Sequence, residues 1–284
     1  MIEFTKVHGN GNDFIVLENL GGGYSSEELA RLARLLCRRG HSLGADGVLA
    51  VEPGGDGFDF TMRLFNADGS EAEMCGNGAR ALARYAFEKK LAGASMSFST
   101  LAGPVRAQVE PPHAELDMGN IPLGKECFGG TMESWGFKFP YLFLTVGVPH
   151  CVLFMEDYDE LDDDIKAEIG AEVSHDFSLF PNGTNVTFVQ RLARNEARAV
   201  TYERGVEELT ESCGTGCVAA AIALEVLEQG APERAVRVQN PGGLNEVRLN
   251  FASGGASCHA RLKGRTALVA EGRVLEDALF EELA

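Results

Sequence analysis

The chain has 284 residues, a length typical of about two domains, and 45% of them are hydrophobic, enough for a core in each. Its formal net charge of −17 argues against nucleic acid or an anionic membrane as a partner, because phosphate groups would be repelled. The N-terminus "MIEFTKVHGNG" lacks the basic and apolar regions of a secretory signal, and no apolar run reaches membrane-spanning length. We therefore expect a cytoplasmic location.

The first half of the chain alternates strand and helix patterns. A hairpin is predicted around "GNGND". A helix is predicted over "SSEELARLARLLCRRG", where Ser25 or Ser26 caps the start and Glu28 adds negative charge to the first turn. The later predicted elements are strands near Val48–Val51 and Thr61–Leu64, an Ala-rich helix after Cys75 that ends on Gly93, and a hairpin through "AGPV".

The second half of the chain repeats the first. When Cys213 is placed over Cys75, "CGNGARALARYAFE" falls on "CGTGCVAAAIALEV". At the same separation "RLFNADGSE" falls on "TYERGVEEL", "ADGVLAVE" on "GTNVTFVQ" and "NDFIVLEN" on "HCVLFMED", while "YDELDDDIKAEIGAEV" takes the place of the first long helix. Several matches in one register indicate a duplicated domain. We predict one half over residues 1–119, joined by a tail of about 265–284, and the other over 120–264.

Seven cysteines are present, an odd number in a long chain, so reduced thiols are a better interpretation than a disulfide framework. Cys213 and Cys217 are spaced by one helical turn, but no matching Cys/His pair lies in a zinc register. We therefore expect no metal, and expect Cys217 to pack in the core.

Cys75 and Cys213 each stand just before a predicted helix. A free thiol, with a pKa of about 8.5, is mostly protonated at neutral pH. A helix N-terminus stabilises the thiolate through its unpaired N–H groups, and the flanking glycines let a carboxylate approach the same groups. The sequence thus predicts lowered thiol pKa values and two cysteines facing one site between the halves. Two opposed thiols suit the inversion of a stereocentre, in which one removes a proton and the other delivers one to the opposite face.

In these motifs the chain resembles the diaminopimelate epimerase family from end to end. The matching segments, in family order, are "FTKVHGNGNDFIV", "GADGVLAVE", "RLFNADGSEAEMCGNGARALARY", "GVPHCVLF", "FPNGTNVTFV" and "YERGVEELTESCGTGCVAAA". The resemblance implies an α/β (α+β) fold of two pseudo-symmetric halves, each a mixed sheet wrapped around a central helix, with the active site in the cleft between them. It implies interconversion of LL- and meso-2,6-diaminoheptanedioate, a small amino-acid substrate used for lysine and peptidoglycan synthesis. It also implies a homodimer that uses no cofactor and, in particular, no pyridoxal phosphate.

The resemblance also assigns roles to individual residues. It implies an acid/base pair, Cys75 and Cys213, with His150 and Glu203 supporting proton transfer. It further implies a set of substrate-binding residues: Asn12, Asn66, Gly76, Asn77, Asn185, Glu203, Arg204, Gly214 and Thr215. Within this set the residues after each cysteine hold the reacting carboxylate, and the Arg204 fork suits a distal carboxylate.

Three positions depart from the family pattern, and two other functions remain open. Val148 stands where many members have Asn, Gly47 where some have Gln, and Leu209-Thr210 where many have Glu-Thr. One alternative is another racemase independent of pyridoxal phosphate, such as a proline racemase-like enzyme. That alternative is disfavoured by Arg204, because proline has no distal carboxylate. The other is a non-catalytic redox protein in which the two cysteines form a reversible disulfide.

Overall fold

The computed structural model describes residues 2–55, 57–125, 127–228 and 233–279. The last five residues of the predicted tail, 280–284, lie outside this part of the chain. The chain divides into two compact units, Met1–Leu116 with Gly264–Ala284, and Asp117–Lys263. Each unit combines a mixed sheet with two α-helices, which confirms the predicted fold class.

The first unit contains eight strands and two helices up to the point where the chain leaves it. In chain order these elements are β1 (Ile2–Gly9), β2 (Asn12–Glu18), α1 (Ser26–Leu36), β3 (Gly47–Pro53), β4 (Phe60–Asn66), β5 (Glu71–Ala72), α2 (Gly76–Glu88), β6 (Ser95–Thr100), β7 (Gly103–Glu110) and β8 (His113–Pro122). β2 and β3 are parallel, as are β4 and β6, whereas β1–β2, β3–β4 and β6–β7 are antiparallel. The sheet of this unit is therefore mixed.

The second unit follows the same plan. Its elements in chain order are β9 (Phe128–Ser134), β10 (Phe137–Val146), β11 (Val148–Phe154), a 3-10 helix (Tyr158–Glu160), α3 (Asp163–Ser174), β12 (Asn185–Ala193), β13 (Glu196–Glu203), β14 (Glu208–Thr210), α4 (Gly214–Glu228), β15 (Glu233–Asn240) and β16 (Gly243–Phe251). β11–β12 and β13–β15 are parallel, and β10–β11, β12–β13 and β15–β16 are antiparallel. The order of parallel and antiparallel pairs is the same in both units, as the predicted duplication requires.

The last strand, β17 (Ser257–Val274), begins within the residues of the second unit and continues into the tail, where a 3-10 helix (Glu276–Leu279) follows it. The part of β17 from Thr266 to Val274 pairs antiparallel with β1. None of the helices in the described ranges is long and apolar enough to cross a membrane.

The strand register refines the predicted alignment of the two halves. In the first unit Phe14 lies opposite Gly47, and in the second His150 lies opposite Asn185. His150 is therefore the equivalent of Phe14, and the predicted match of Asn12 with His150 is wrong by two residues. Identity is so low in this strand pair that apolar alternation alone could not fix the register.

A buried, Ala-rich helix lies at the centre of each unit. α4 is apolar all round and packs against strands β10 to β13, β15 and β16, so small side chains are needed for the sheet to close around it. α2 packs against β1, β2, β4 and β7 in the same way. It ends at Glu88 rather than at Gly93, because the chain turns at Lys90, whose φ is 58°.

The outer helices begin where the sequence predicts. The Ser25 Oγ accepts a hydrogen bond from the Glu28 backbone N–H, and the Glu28 carboxylate accepts one from the Ser25 backbone N–H, which forms a capping box for α1. Asp162 caps α3 in a similar way, so the acidic run before it serves as a helix start.

Candidate functional site

Cys75 and Cys213 occupy equivalent positions at the starts of the two central helices. The carbonyl of each accepts the first helical hydrogen bond, which places both at the N-cap. The Cys75 Sγ accepts from the Gly78 backbone N–H at 3.5 Å, and the Cys213 Sγ from that of Gly216 at 3.3 Å. All seven cysteines lie in the described ranges and are present as thiols rather than disulfides. The sequence thus located both thiols correctly at helix N-termini.

In the first unit Asn12 contacts two other predicted site residues, Cys75 and Asn77. The Asn12 Oδ1 accepts hydrogen bonds from the Cys75 Sγ and from the Asn77 Nδ2, each at 3.4 Å. A β-carbon built on Gly76, the residue between them, would meet no atom within 4 Å. The backbone at the start of α2 is therefore open to a ligand next to a half-buried thiol.

Asn66 lies at the end of β4 and hydrogen-bonds within its own turn. Its side-chain nitrogen donates to the Ser70 Oγ at 3.0 Å. It lies opposite Gly47, the residue that follows Asp46. The predicted part of Asn66 in substrate binding stays a prediction.

In the second unit a carboxylate lies against the cysteine. Glu203 at the end of β13 accepts a hydrogen bond from the Thr210 Oγ1 at 2.6 Å, and its charge acts on the neighbouring Cys213 thiol. Burial raises the pKa of the Glu203 carboxyl, and the interactions with Thr210 and Cys213 only partly oppose this. The Glu203 carboxyl and the Cys213 thiol are therefore electrostatically coupled, with the thiol buried and the carboxyl half-buried.

The expectation of a lowered thiol pKa is wrong for Cys213. Burial, and then the neighbouring Glu203 charge, raise the pKa of this thiol well above its ordinary value. The Thr215 hydroxyl and the Gly216 N–H act in the opposite direction but do not compensate. Cys213 is thus a protonated thiol, because desolvation of the anion outweighs the stabilisation that a helix N-terminus offers.

His150 reaches Cys213 through a threonine. Its Nε2 lies 2.9 Å from the Thr215 Oγ1, which lies 3.5 Å from the Cys213 Sγ. On the other side its Nδ1 lies 3.5 Å from the Thr187 Oγ1. Complete burial, followed by the Arg204 charge, lowers the pKa of His150 to about 3. The imidazole is therefore neutral at physiological pH and can exchange hydrogen bonds without carrying charge.

This lowered pKa predicts a pH dependence of stability. An unfolded histidine has a pKa of about 6.5, so between that value and about 3 the unfolded chain binds the additional proton. The free energy of unfolding should therefore fall as the pH drops through this window, and fall less steeply in His150→Gln. Denaturant titrations at several pH values test this, with the exposed His41→Gln as control. Parallel curves for wild type and His150→Gln would contradict it.

Asn185 and Arg204 are joined through the backbone. The buried Asn185 Oδ1 accepts from the Arg204 N–H at 2.8 Å, and the exposed Arg204 guanidinium donates to the Asn182 carbonyl. Gly214 and Thr215 form the first turn of α4, directly after Cys213. The structure therefore groups His150, Glu203 and Thr215 with the second cysteine, while Arg204 lies at the surface of the same unit.

Two residues next to the thiols were not predicted from the sequence. Asp46 accepts a hydrogen bond from the Asn12 Nδ2 at 2.5 Å, and Thr210 holds Glu203. Both lie in motifs that the sequence singled out, "GADG" and "LTESCG", but the patterns do not show which side chain they contact.

Gly47 admits no side chain, since a β-carbon there would lie 2.6 Å from the Phe65 carbonyl oxygen. Among residues 2–55, 57–125, 127–228 and 233–279, no group of His, Cys, Asp and Glu could hold a metal ion.

Solved structures of low sequence identity share this fold over nearly the whole chain. A phenazine biosynthesis protein of the PhzF family from Bacillus anthracis matches with a TM-score of 0.73 at 15% identity, covering 96% of this chain and 99% of that one. A hydroxyproline epimerase from Agrobacterium vitis matches with a TM-score of 0.68 at 17% identity, covering 96% and 92%. The fold is thus shared with this phenazine biosynthesis protein and with this hydroxyproline epimerase.

Sequence comparisons define the family within that class. The diaminopimelate epimerase family model matches residues 4–123 and 142–255. A diaminopimelate epimerase from Methanothrix thermoacetophila is 40% identical, with 98% of each chain covered, and one from Archaeoglobus fulgidus is 38% identical, with 90% of this chain and 94% of that one covered. The chain belongs to the diaminopimelate epimerase family and is an isomerase.

Proposed function

We propose that the chain interconverts LL- and meso-2,6-diaminoheptanedioate by a two-cysteine acid/base mechanism. The observation that carries this proposal is the pair of thiols at equivalent N-caps, each accepting a backbone N–H bond at the start of a buried helix. Relatives that align over nearly their full length are named diaminopimelate epimerases, which supports this substrate.

In the proposed reaction one cysteine, as thiolate, takes the proton from the α-carbon. The electron pair of the C–H bond stays on carbon and delocalises into the adjacent carboxylate. The other cysteine, as thiol, delivers its proton to the opposite face, so one proton is gained and one is lost. The reverse reaction uses the two thiols in exchanged roles. We assign to Glu203 a supporting role, since its carboxyl is electrostatically coupled to the Cys213 thiol and can serve as an acceptor for the thiol proton.

The helix starts supply the binding groups for the reacting carboxylate. We assign its oxygens to the backbone N–H groups of Gly76 and Asn77 in one unit and of Gly214 and Thr215 in the other. Two helix N-termini aimed at one carboxylate stabilise the negative charge that builds up as the proton leaves. This electrostatic stabilisation would replace the electron sink that pyridoxal phosphate supplies in other racemases, so we propose a reaction without that cofactor.

The remaining polar residues would bind the rest of the substrate. We assign Asn12, Asn66 and Asn185 to its amino and carboxylate groups and Arg204 to the distal carboxylate. We also propose, on family grounds, a cytoplasmic homodimer that serves lysine and peptidoglycan synthesis.

The test is a stereochemical assay of the purified protein in D2O. LL-Diaminopimelate, L-proline and L-glutamate are supplied separately, and product configuration and α-carbon deuterium are measured. We expect inversion and deuterium incorporation with diaminopimelate only. Proline turnover would favour the proline racemase-like alternative, and inversion without deuterium would exclude the proton-transfer mechanism. An inert protein whose two thiols form a disulfide reversibly would favour the redox alternative.

Arg204→Ala tests the assignment of the distal carboxylate. A bidentate arginine–carboxylate pair discriminates strongly against a ligand that lacks one partner. We expect kcat/KM for diaminopimelate to fall by about 10- to 100-fold, mainly through KM. A factor of this size corresponds to the loss of about one to two hydrogen bonds to a charged group. The measurement is steady-state kinetics beside Arg198→Ala, an arginine of the same unit paired with Asp159. Unchanged KM in Arg204→Ala would place the distal carboxylate elsewhere.

A further inference from the structure

We propose that Asp46 and Arg80 are positioning residues that turn the side-chain oxygen of Asn12 towards Cys75. They stand at the two ends of a hydrogen-bonded chain of four side chains, Arg80–Asn77–Asn12–Asp46. The effect of this arrangement on turnover rests on the function proposed above, but the orientation of the Asn12 and Asn77 amides does not.

The Asp46 end fixes the orientation of Asn12. A carboxylate only accepts hydrogen bonds, so the Asn12 atom 2.5 Å from the Asp46 Oδ2 has to be the amide nitrogen. The amide oxygen is then turned the other way, where it lies 3.4 Å from the Cys75 Sγ. Asp46 is itself held by the Arg39 guanidinium at 2.7 Å and by the Asp13 backbone N–H at 3.0 Å.

The Arg80 end requires the same polarity independently. A guanidinium only donates, so the Asn77 atom that it contacts has to be the amide oxygen. The Asn77 nitrogen then faces Asn12 and needs an acceptor there, which the Asn12 oxygen provides at 3.4 Å. Arg80 is completely buried, and a buried charge holds its partner in place because an unpaired one is costly. A reversal of either amide would set donor against donor or acceptor against acceptor.

The direction of these hydrogen bonds decides which atom of the Asn12 amide contacts the Cys75 sulfur. An amide oxygen accepts a bond from the thiol, and only the protonated thiol can donate it. The amide nitrogen in the same place would donate to sulfur and stabilise the thiolate instead. The four hydrogen-bonded side chains thus favour the protonated Cys75 thiol. In the second unit the Thr215 hydroxyl stands in the position of Asn77, and since a hydroxyl both donates and accepts, no such orientation is imposed.

Asp46→Asn removes the end that only accepts and leaves the Arg80 end alone to orient Asn12, so the amide can turn its nitrogen to sulfur by giving up the bond from Asn77. We expect iodoacetamide to alkylate Cys75 about 2- to 10-fold faster at neutral pH, the factor that one hydrogen bond is worth. The rate at Cys213 should not change. Alkylation of each cysteine is followed by mass spectrometry of its peptide, and thermal unfolding verifies that the variant is folded. In the epimerisation assay kcat should fall more than KM changes.

Asp13→Asn is the matched control. Asp13 lies in the same charged cluster, where it pairs with Lys6 and Arg39 at 2.6 Å each, yet its side chain does not form the Asn12 bond. This variant should alkylate like the wild type. Equal acceleration in both variants, or none in Asp46→Asn, would overturn the proposal. If Asp46→Asn shows the faster alkylation but the wild-type protein has no epimerase activity, the proposed function is refuted. The proposed orientation of the Asn12 amide is then unaffected.

Discussion

Alanine in place of either Cys75 or Cys213 is expected to lower kcat by about 10²- to 10⁴-fold, the usual contribution of one acid/base group. Inversion needs a proton acceptor on one face of the carbon and a donor on the other, and alanine provides neither. The single variants and the double variant should therefore be similarly inactive, because residues that act as a unit are not additive. The measurement is the rate of epimerisation of LL-diaminopimelate, with α-carbon deuterium measured in parallel.

The control for this experiment is Cys127→Ala. Cys127 is a half-buried thiol that packs against the apolar core of the second unit, outside the helix starts. It should keep wild-type activity, and all variants should keep their thermal unfolding transitions within a few degrees. Near-wild-type turnover by either Cys75→Ala or Cys213→Ala would refute the two-base mechanism.

Gly216→Ala should be severely damaging, although alanine is ordinarily the better helix former. A β-carbon at Gly216 would lie 2.3 Å from the Thr201 Oγ1 and 3.2 Å from the Cys213 Sγ. Thr201 cannot move aside easily, since it is β-branched and hydrogen-bonded to Thr187 at 3.0 Å. We expect a loss of about 1–3 kcal/mol in the free energy of unfolding, typical of overpacking. Displacement of the thiol by about 1 Å should cost on the order of 10²-fold in kcat.

The repeat provides a matched control, Gly78→Ala. Gly78 is the residue equivalent to Gly216 in the first unit, and it likewise donates its N–H to the cysteine sulfur. A β-carbon there would meet only the ends of the Leu49 and Phe14 side chains, at 3.3 and 3.4 Å. Its effect on stability should stay within about 1 kcal/mol, as expected where neighbours can adjust. Equal destabilisation of both variants, measured by denaturant unfolding, would contradict this explanation.

Much of the fold followed from local pattern. The turn at Asn10-Gly11, the capping box of α1 and the two Cys-Gly-polar-Gly helix starts depend on residues a few positions apart, so their sequence signatures are direct. The Ala-rich helices were predicted for the same reason. The two-residue shift between β2 and β11 was not, because each strand has only a short apolar stretch, which fits either register.

The sequence by itself determined that two thiols stand at equivalent helix starts, because the repeated motif and the capping geometry are both local. Only the tertiary structure decided their chemical state. Burial of Cys213 beside Glu203 raises the pKa of the thiol, although its position at a helix N-terminus predicts the opposite. Likewise the contact of Cys75 with the Asn12 oxygen depends on Asp46, which is distant along the chain. Desolvation and long-range hydrogen bonds depend on which residues the folded chain brings together, and no local pattern encodes them.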